Sequence, residues 1–178
     1  MAEPWQMAEI AATVKASVIR ESKQATNIIK RAKNPILIVG HESIVAEGDG
    51  KEPIEYALEI SKKGKIPIVA TAQTVGEFLK RGFQPAAWMS AMDIGSRLAD
   101  PEWSLSTGDR HDIALFLGVP YIIQWTILSG LKHLAPHIRT ISLDRFYHPH
   151  SNFSFPNLKV KAWHQKMEEI VRGVASEG

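Results

Sequence analysis

The chain reads as an α/β protein built on a parallel sheet with helices on both faces. Three observations predict this. The apolar runs "PILIV", "IPIVA" and "IALFL" are too short for helices and lack the alternation of a half-exposed strand. Segments of helical period lie between them. Proline, glycine and Ser/Thr punctuation marks the changes from one kind of segment to the other.

Taken in order, residues 7–32 predict a long helix. Met7, Ile10, Val14, Val18, Ala25 and Ile28 fall close to one face, with Lys15, Lys23, Lys30 and Arg31 mostly elsewhere. "NPILIVG" is the first buried strand. "GDGKEPIEYALEISKKGK" is a helix: Pro53 suits its first turn, Ile54, Ala57, Leu58 and Ser61 share a face, and Lys62 and Lys63 precede Gly64. "IPIVAT" is the second strand. Thr74 with Glu77 makes a capping-box pattern before the short helix "VGEFLKRGF". Ser90 and Asp93 repeat that signal before "MDIGSRLAD", which Pro101 ends. "DIALFLG" is the third strand, and Pro120 opens the helix "YIIQWTILSGLKHLA". "HIRTISLD" and "NLKVKAW" read as two more strands, and "HQKMEEIVRGV" closes the chain as a helix with Met167, Ile170, Val171 and Val174 inward. With no repeat, low-complexity tract or linker, residues 1–178 are expected to form one domain.

Composition narrows the function. The chain has 178 residues, 44% hydrophobic and 22% charged, with a formal net charge of +2 from 21 basic and 19 acidic residues. These are the proportions of a globular protein. The basic cluster "IIKRAK" reads as a solvated helix end rather than a nucleic-acid footprint. Cysteine is absent, which excludes disulfides, a thiolate nucleophile and cysteine-ligated zinc or iron–sulfur centres held by this chain alone. No apolar run approaches the roughly 18 residues of a membrane span. The acids at the start of the chain do not suit a signal peptide, so a cytoplasmic location is expected.

The first strand ends at Gly40, where a dinucleotide site would read G-x-G-x-x-G. His41, Glu42 and Ser43 follow instead, and the second strand ends in "VATAQT" without the acid that holds ribose hydroxyls. The standard NAD mode is therefore not expected. A crevice is still expected at the reversal of strand order, between residues 40–43 and 118–121, flanked by 71–74 and 144–147. Its candidate ligand-binding residues are Gly40, His41, Thr71, Gly118 and Arg145, and the candidate ligand is FAD or another nucleotide.

"RAKNPILIVGHES", "ISKKGKIPIVATAQTVGEFLKRG", "DIALFLGVPYIIQWTILSGLKHL" and "ISLDRFYHPHSNFSFPNL" together resemble the epsilon subunits of archaeal acetyl-CoA decarbonylase/synthase complexes, over essentially the whole chain. The stretch from "AKNPILIVG" to "GKIPIVAT" is also similar to the central domain of thiamine-diphosphate enzymes. These resemblances imply six parallel strands in a Rossmann-type, deoxyhypusine-synthase-like fold of the class that binds NAD or FAD in some enzymes. They imply an accessory, noncatalytic role. The partner they imply is the large (alpha) subunit of carbon monoxide dehydrogenase, in an α2ε2 assembly. The nickel–iron–sulfur clusters belong to that partner, and electron transfer to FAD is a further role suggested within the family. No catalytic residue is carried over.

Other groupings have bland readings beside the chemical ones. His148 and His150, with Asp144 close by, have the spacing of two metal ligands on an extended segment, but no third strong ligand is visible and no metal is expected. His41, Glu42 and Ser43 are too close in sequence to converge as a triad. The helix after Pro120 is apolar on more than one face, so either the fold or a partner covers it. Trp88, Met92, Trp103, Tyr147 and His148 are the candidate contacts with the large subunit, although aromatic and methionine side chains also fill cores. The rival to the accessory role is a free-standing flavin- or nucleotide-binding electron-transfer module. A hydrolase on the same fold ranks last, since neither G-x-S-x-G nor a P-loop occurs. Self-association of the free chain stays open.

Overall fold

The computed structural model describes residues 15–46, 48, 50–105 and 108–175. Its elements are β1 (Ser17–Val18), α1 (Ser22–Arg31), β2 (Pro35–Val39), α2 (Pro53–Gly64), β3 (Ile68–Thr71), α3 (Val75–Lys80), β4 (Ala87–Met89), α4 (Ala91–Ala99), β5 (Ile113–Leu117), α5 (Tyr121–Leu134), β6 (Arg139–Ser142), β7 (Phe153–Ser154) and α6 (Val160–Ala175). The strands form one sheet in the order β1-β7-β6-β5-β2-β3-β4, and every neighbouring pair is parallel. The order reverses between β2 and β5. No helix among the described residues is long and apolar enough to cross a membrane.

Side chains alternate across a strand, so each central strand feeds two cores. Leu37 and Val39 of β2, Ile68 of β3 and Leu115 of β5 pack with Ile29 of α1, Ile60 of α2, and Trp163 and Met167 of α6. Ile36, Ile38, Val69 and Phe116 face the other way, toward Ile94 and Leu98 of α4 and Ile127, Leu128 and Leu131 of α5. The predicted layering therefore holds: a parallel sheet sits between two helical layers.

Three expectations need correction. The sheet has seven strands, not six, because β1 adds to its edge beside β7. The helix expected over residues 7–32 begins only at Ser22, with residues 7–14 of it outside the described residues. Residues 17–18 are extended, and the Ser17 amide donates to Asn152 O at 2.8 Å. Gln24 marks the true helix start, its Oε1 accepting from the backbone amides of Arg20 and Glu21. "NLKVKAW" is not a strand, since α6 begins at Val160. Its inward residues Trp163, Met167, Ile170 and Val174 keep the helical period, and the Trp163 indole donates to Leu143 O at 2.8 Å. The three strands not foreseen are the short segments Ser17–Val18, Ala87–Met89 and Phe153–Ser154.

Caps explain the remaining boundaries. Ser90 caps α4 as expected, its Oγ accepting from Asp93 N at 3.1 Å. The capping box at Thr74 does not form. Thr74 donates to Thr71 O at 2.7 Å, and Glu77 pairs with Lys80 and Arg81. Gly64 belongs to the last turn of α2, so Lys65 takes the left-handed position, at φ 53°.

Candidate functional site: the carboxyl end of the sheet

In an open parallel sheet the crevice forms outside the carboxyl ends of the strands, where the order reverses. Here the reversal lies between β2 and β5, and the two strand ends are stitched together. Gly40 N donates to Leu117 O at 2.9 Å, and Glu42 N donates to Gly118 O at 2.9 Å. The Ser43 hydroxyl turns back onto Gly40 O at 2.6 Å. A Cβ at Gly40 would collide with the Gly118 carbonyl oxygen and Val119, and one at Gly118 would collide with Ser43. Gly118 also has φ +68°, a conformation that L side chains adopt rarely. Both glycines are thus required by the approach of one loop to the other.

Asp144, just after β6, completes the junction. Its Oδ1 accepts from Gly118 N at 2.7 Å, and the Ser142 hydroxyl donates to its Oδ2 at 3.3 Å. Gln124 of α5 reaches the same spot, its Nε2 lying 3.0 Å from Ser142 Oγ. Burial pushes the Asp144 carboxyl up to about 7, outweighing the hydrogen bonds that favour its charged form. The buried Oε1 of Gln124 and Oγ1 of Thr71 have no hydrogen-bond partner among the described residues.

Of the predicted ligand-binding residues, Gly40 and Gly118 meet at the junction, His41 is the next residue after Gly40, and Thr71 ends the adjacent strand β3. Arg145 stands on the β6 side with its guanidinium 3.9 Å from the centre of the Phe146 ring. Of these five residues Gly118 and Arg145 line the small opening there, together with Glu42, Tyr121, Asp144 and His148 among others, and Gly40, His41 and Thr71 do not; its volume is about 60 Å³. Small-molecule pockets usually measure roughly 300–1,000 Å³. This one has room for water-sized groups.

The "FYHPH" segment packs under α5. The His148 ring stacks on Tyr121 at 4.0 Å between centres, and His150 meets the Trp125 ring edge-on at 4.6 Å. Burial drives the His148 imidazole down to about 3, with His150 adding to the effect, and burial lowers His150 as well. Lys132 holds the segment by donating to Pro149 O and Ser151 O. No group of three or more metal-ligating side chains occurs among the described residues.

The predicted interface residues separate. Trp88 and Met92 are 55% and 54% exposed. Trp103 is half-buried and packs against the His111 ring at 5.5 Å. Tyr147 and His148 are buried; the Tyr147 hydroxyl donates to Ala16 O at 3.0 Å. They present no surface, whereas their neighbour Phe146 does. The sequence reading passed over Gln124 and Ser142. A lone glutamine inside "YIIQWTI" was the one available signal for the first.

Residues 1–171 match the family described as CO dehydrogenase beta subunit/acetyl-CoA synthase epsilon subunit. The chain is 32% identical to the acetyl-CoA decarbonylase/synthase complex subunit epsilon of Methanothermobacter thermautotrophicus, covering 94% of this chain and 93% of that one. It is 36% identical to subunit epsilon 1 of the corresponding complex of Archaeoglobus fulgidus, over 88% of this chain and 83% of that one. Identity to the epsilon subunit of Methanothrix soehngenii is 31%, over 94% and 89%.

Proposed function

The chain belongs to the CO dehydrogenase beta subunit/acetyl-CoA synthase epsilon subunit family, and from that premise we propose that it is a noncatalytic accessory subunit. It binds and stabilises the large subunit of carbon monoxide dehydrogenase, as two epsilon chains on two large chains in the cytoplasm. The observation that carries the reading is membership of this family by a chain without a single cysteine. Nickel–iron–sulfur clusters are held chiefly through thiolates, so the clusters of the complex are placed on the partner. To test this, the partner's CO-oxidising activity is followed during anaerobic heating with and without this chain. Slower inactivation is expected with the chain present. Equal inactivation rates, or CO oxidation by this chain alone without added metal, would contradict the proposal.

A second reading, electron transfer to FAD, is favoured by strand order. Without β1 the sheet runs β4-β3-β2-β5-β6-β7, the order of a doubly wound dinucleotide-binding sheet. This supports a Rossmann-type, deoxyhypusine-synthase-like ancestry, with Gly40, His41, Thr71, Gly118 and Arg145 around the ligand. At about 60 Å³ the opening must widen to admit a flavin ring. Saturable quenching of flavin fluorescence on titration is expected on this reading. A flat titration, both alone and with the partner, would remove it and leave the accessory role standing.

A further inference from the structure

Exposed apolar side chains gather where α4 and α5 begin. Both helices leave the carboxyl end of a parallel sheet, so they run in the same direction. They pack closely at Gly95, where an added Cβ would lie 3.2 Å from Ile127 Cγ1. Met92 precedes Gly95 by three residues and Ile123 precedes Ile127 by four, so each sits about one turn nearer its helix start on the side that carries the α4–α5 contact. Met92 is 54% exposed and Ile122 is 73% exposed, with Ile123 also at the surface. Phe146 is exposed in the turn after β6, stacked with Arg145, and lines the same opening as Tyr121, the first residue of α5. Trp88 does not join this patch. Its register with Ala70 sends it to the opposite face of the sheet.

Electrostatics says what kind of surface covers this patch. α5 has no acidic residue in its first turn, and its N-cap, Pro120, provides no side-chain hydrogen bond. The positive end of this 14-residue helix thus has no anionic group from the helix itself, and the acids that line the opening at its first residue, Glu42 and Asp144, come from other loops. Beside it His148 is 1% exposed and its Nδ1 has no partner among the described residues. Methionine, aromatic and arginine side chains with few acids are the composition of an interface centre.

We propose that Met92, Ile122, Ile123, Arg145 and Phe146 form the docking surface for the partner subunit, and that the partner brings an apolar face carrying an acidic group to the start of α5. The proposal rests on the reading of the chain as a subunit of the complex and adds which surface is used. Its test compares anaerobic binding of the purified carbon monoxide dehydrogenase large subunit by the unaltered chain and by four variants. Ile122→Glu and Met92→Glu place acids in first turns, where they favour the helices, so folding is retained. Each is expected to weaken binding at least about tenfold, as loss of an interface anchor does. Ile122→Lys should weaken it less than Ile122→Glu, because an acid faces it. Leu134→Lys, at a 75% exposed residue on the far end of the same helix, should leave binding unchanged. Wild-type affinity in both Glu variants, or an equal loss in Leu134→Lys, overturns the surface while the subunit reading stands. Equal losses for Ile122→Lys and Ile122→Glu overturn the acidic group. If the variants change only self-association of the free chain, the patch is a contact between copies and the proposal falls. Absence of binding by the unaltered chain overturns the subunit reading and this surface with it.

Discussion

Asp144 is held by Gly118 N and Ser142 in a setting that favours its neutral form. Its folded value of about 7 lies above the roughly 3.9 of an unfolded aspartate. The folded chain therefore binds the proton more tightly. Its contribution to stability is full below about pH 4 and is lost as pH rises through 7. Asp144→Asn keeps an acceptor for Gly118 N, and a turned Gln124 amide can accept from the new NH₂ group. The variant is expected to be more stable than the wild type at pH 8, by on the order of 2–4 kcal/mol. It should show little of that advantage at pH 4, as urea denaturation at the two pH values will measure. A second prediction concerns the glycines. Gly118→Ala adds backbone strain and a collision with Ser43, and should cost about 1–3 kcal/mol or more in the same assay. Sequence reading located both glycines at strand ends but could not say what they approach. A glycine that admits a ligand and one that admits a neighbouring loop are the same letter.

Elements were legible in proportion to the length of their pattern. β2, β3, β5, α2 and α5 each offered a run long enough to show its period, and the structure has them where they were expected. Val14 and Val18 matched a helical spacing that did not continue. Ser17 and Val18 instead pair in parallel register with Phe153 and Ser154, as an extended edge segment. In "NLKVKAW" the alternation lasted too briefly to compete with the helical period from Trp163 onward. β1 and β7 have two residues each and β4 has three, too few for any period. α5 answers the question its breadth raised. Ile127, Leu128 and Leu131 are covered by the fold, while Ile122, Ile123 and Leu134 are left outside. One element-scale prediction follows from the end of α2. Lys65 occupies a left-handed position better suited to glycine. Lys65→Gly should raise stability by about 0.5–1 kcal/mol, seen as a higher urea midpoint with an unchanged slope.

At the scale of the whole molecule, class, parallel pairing and two helical layers all followed from continuous apolar strands separated by helices. The seventh strand did not, because it depends on the path of a short segment across the far edge of the sheet. The carboxyl end, the part of such a fold that commonly meets ligands, is here closed by its own loops and rimmed with exposed apolar groups. That combination fits a chain that works by contact with another protein. Fold alone does not establish this; the partner is the one proposed above. The central claim is tested most directly by anaerobic sedimentation velocity of this chain mixed with the purified large subunit of carbon monoxide dehydrogenase. The expected result is one faster boundary containing both chains. Two independent boundaries, with the large subunit intact and still oxidising CO, would contradict the account.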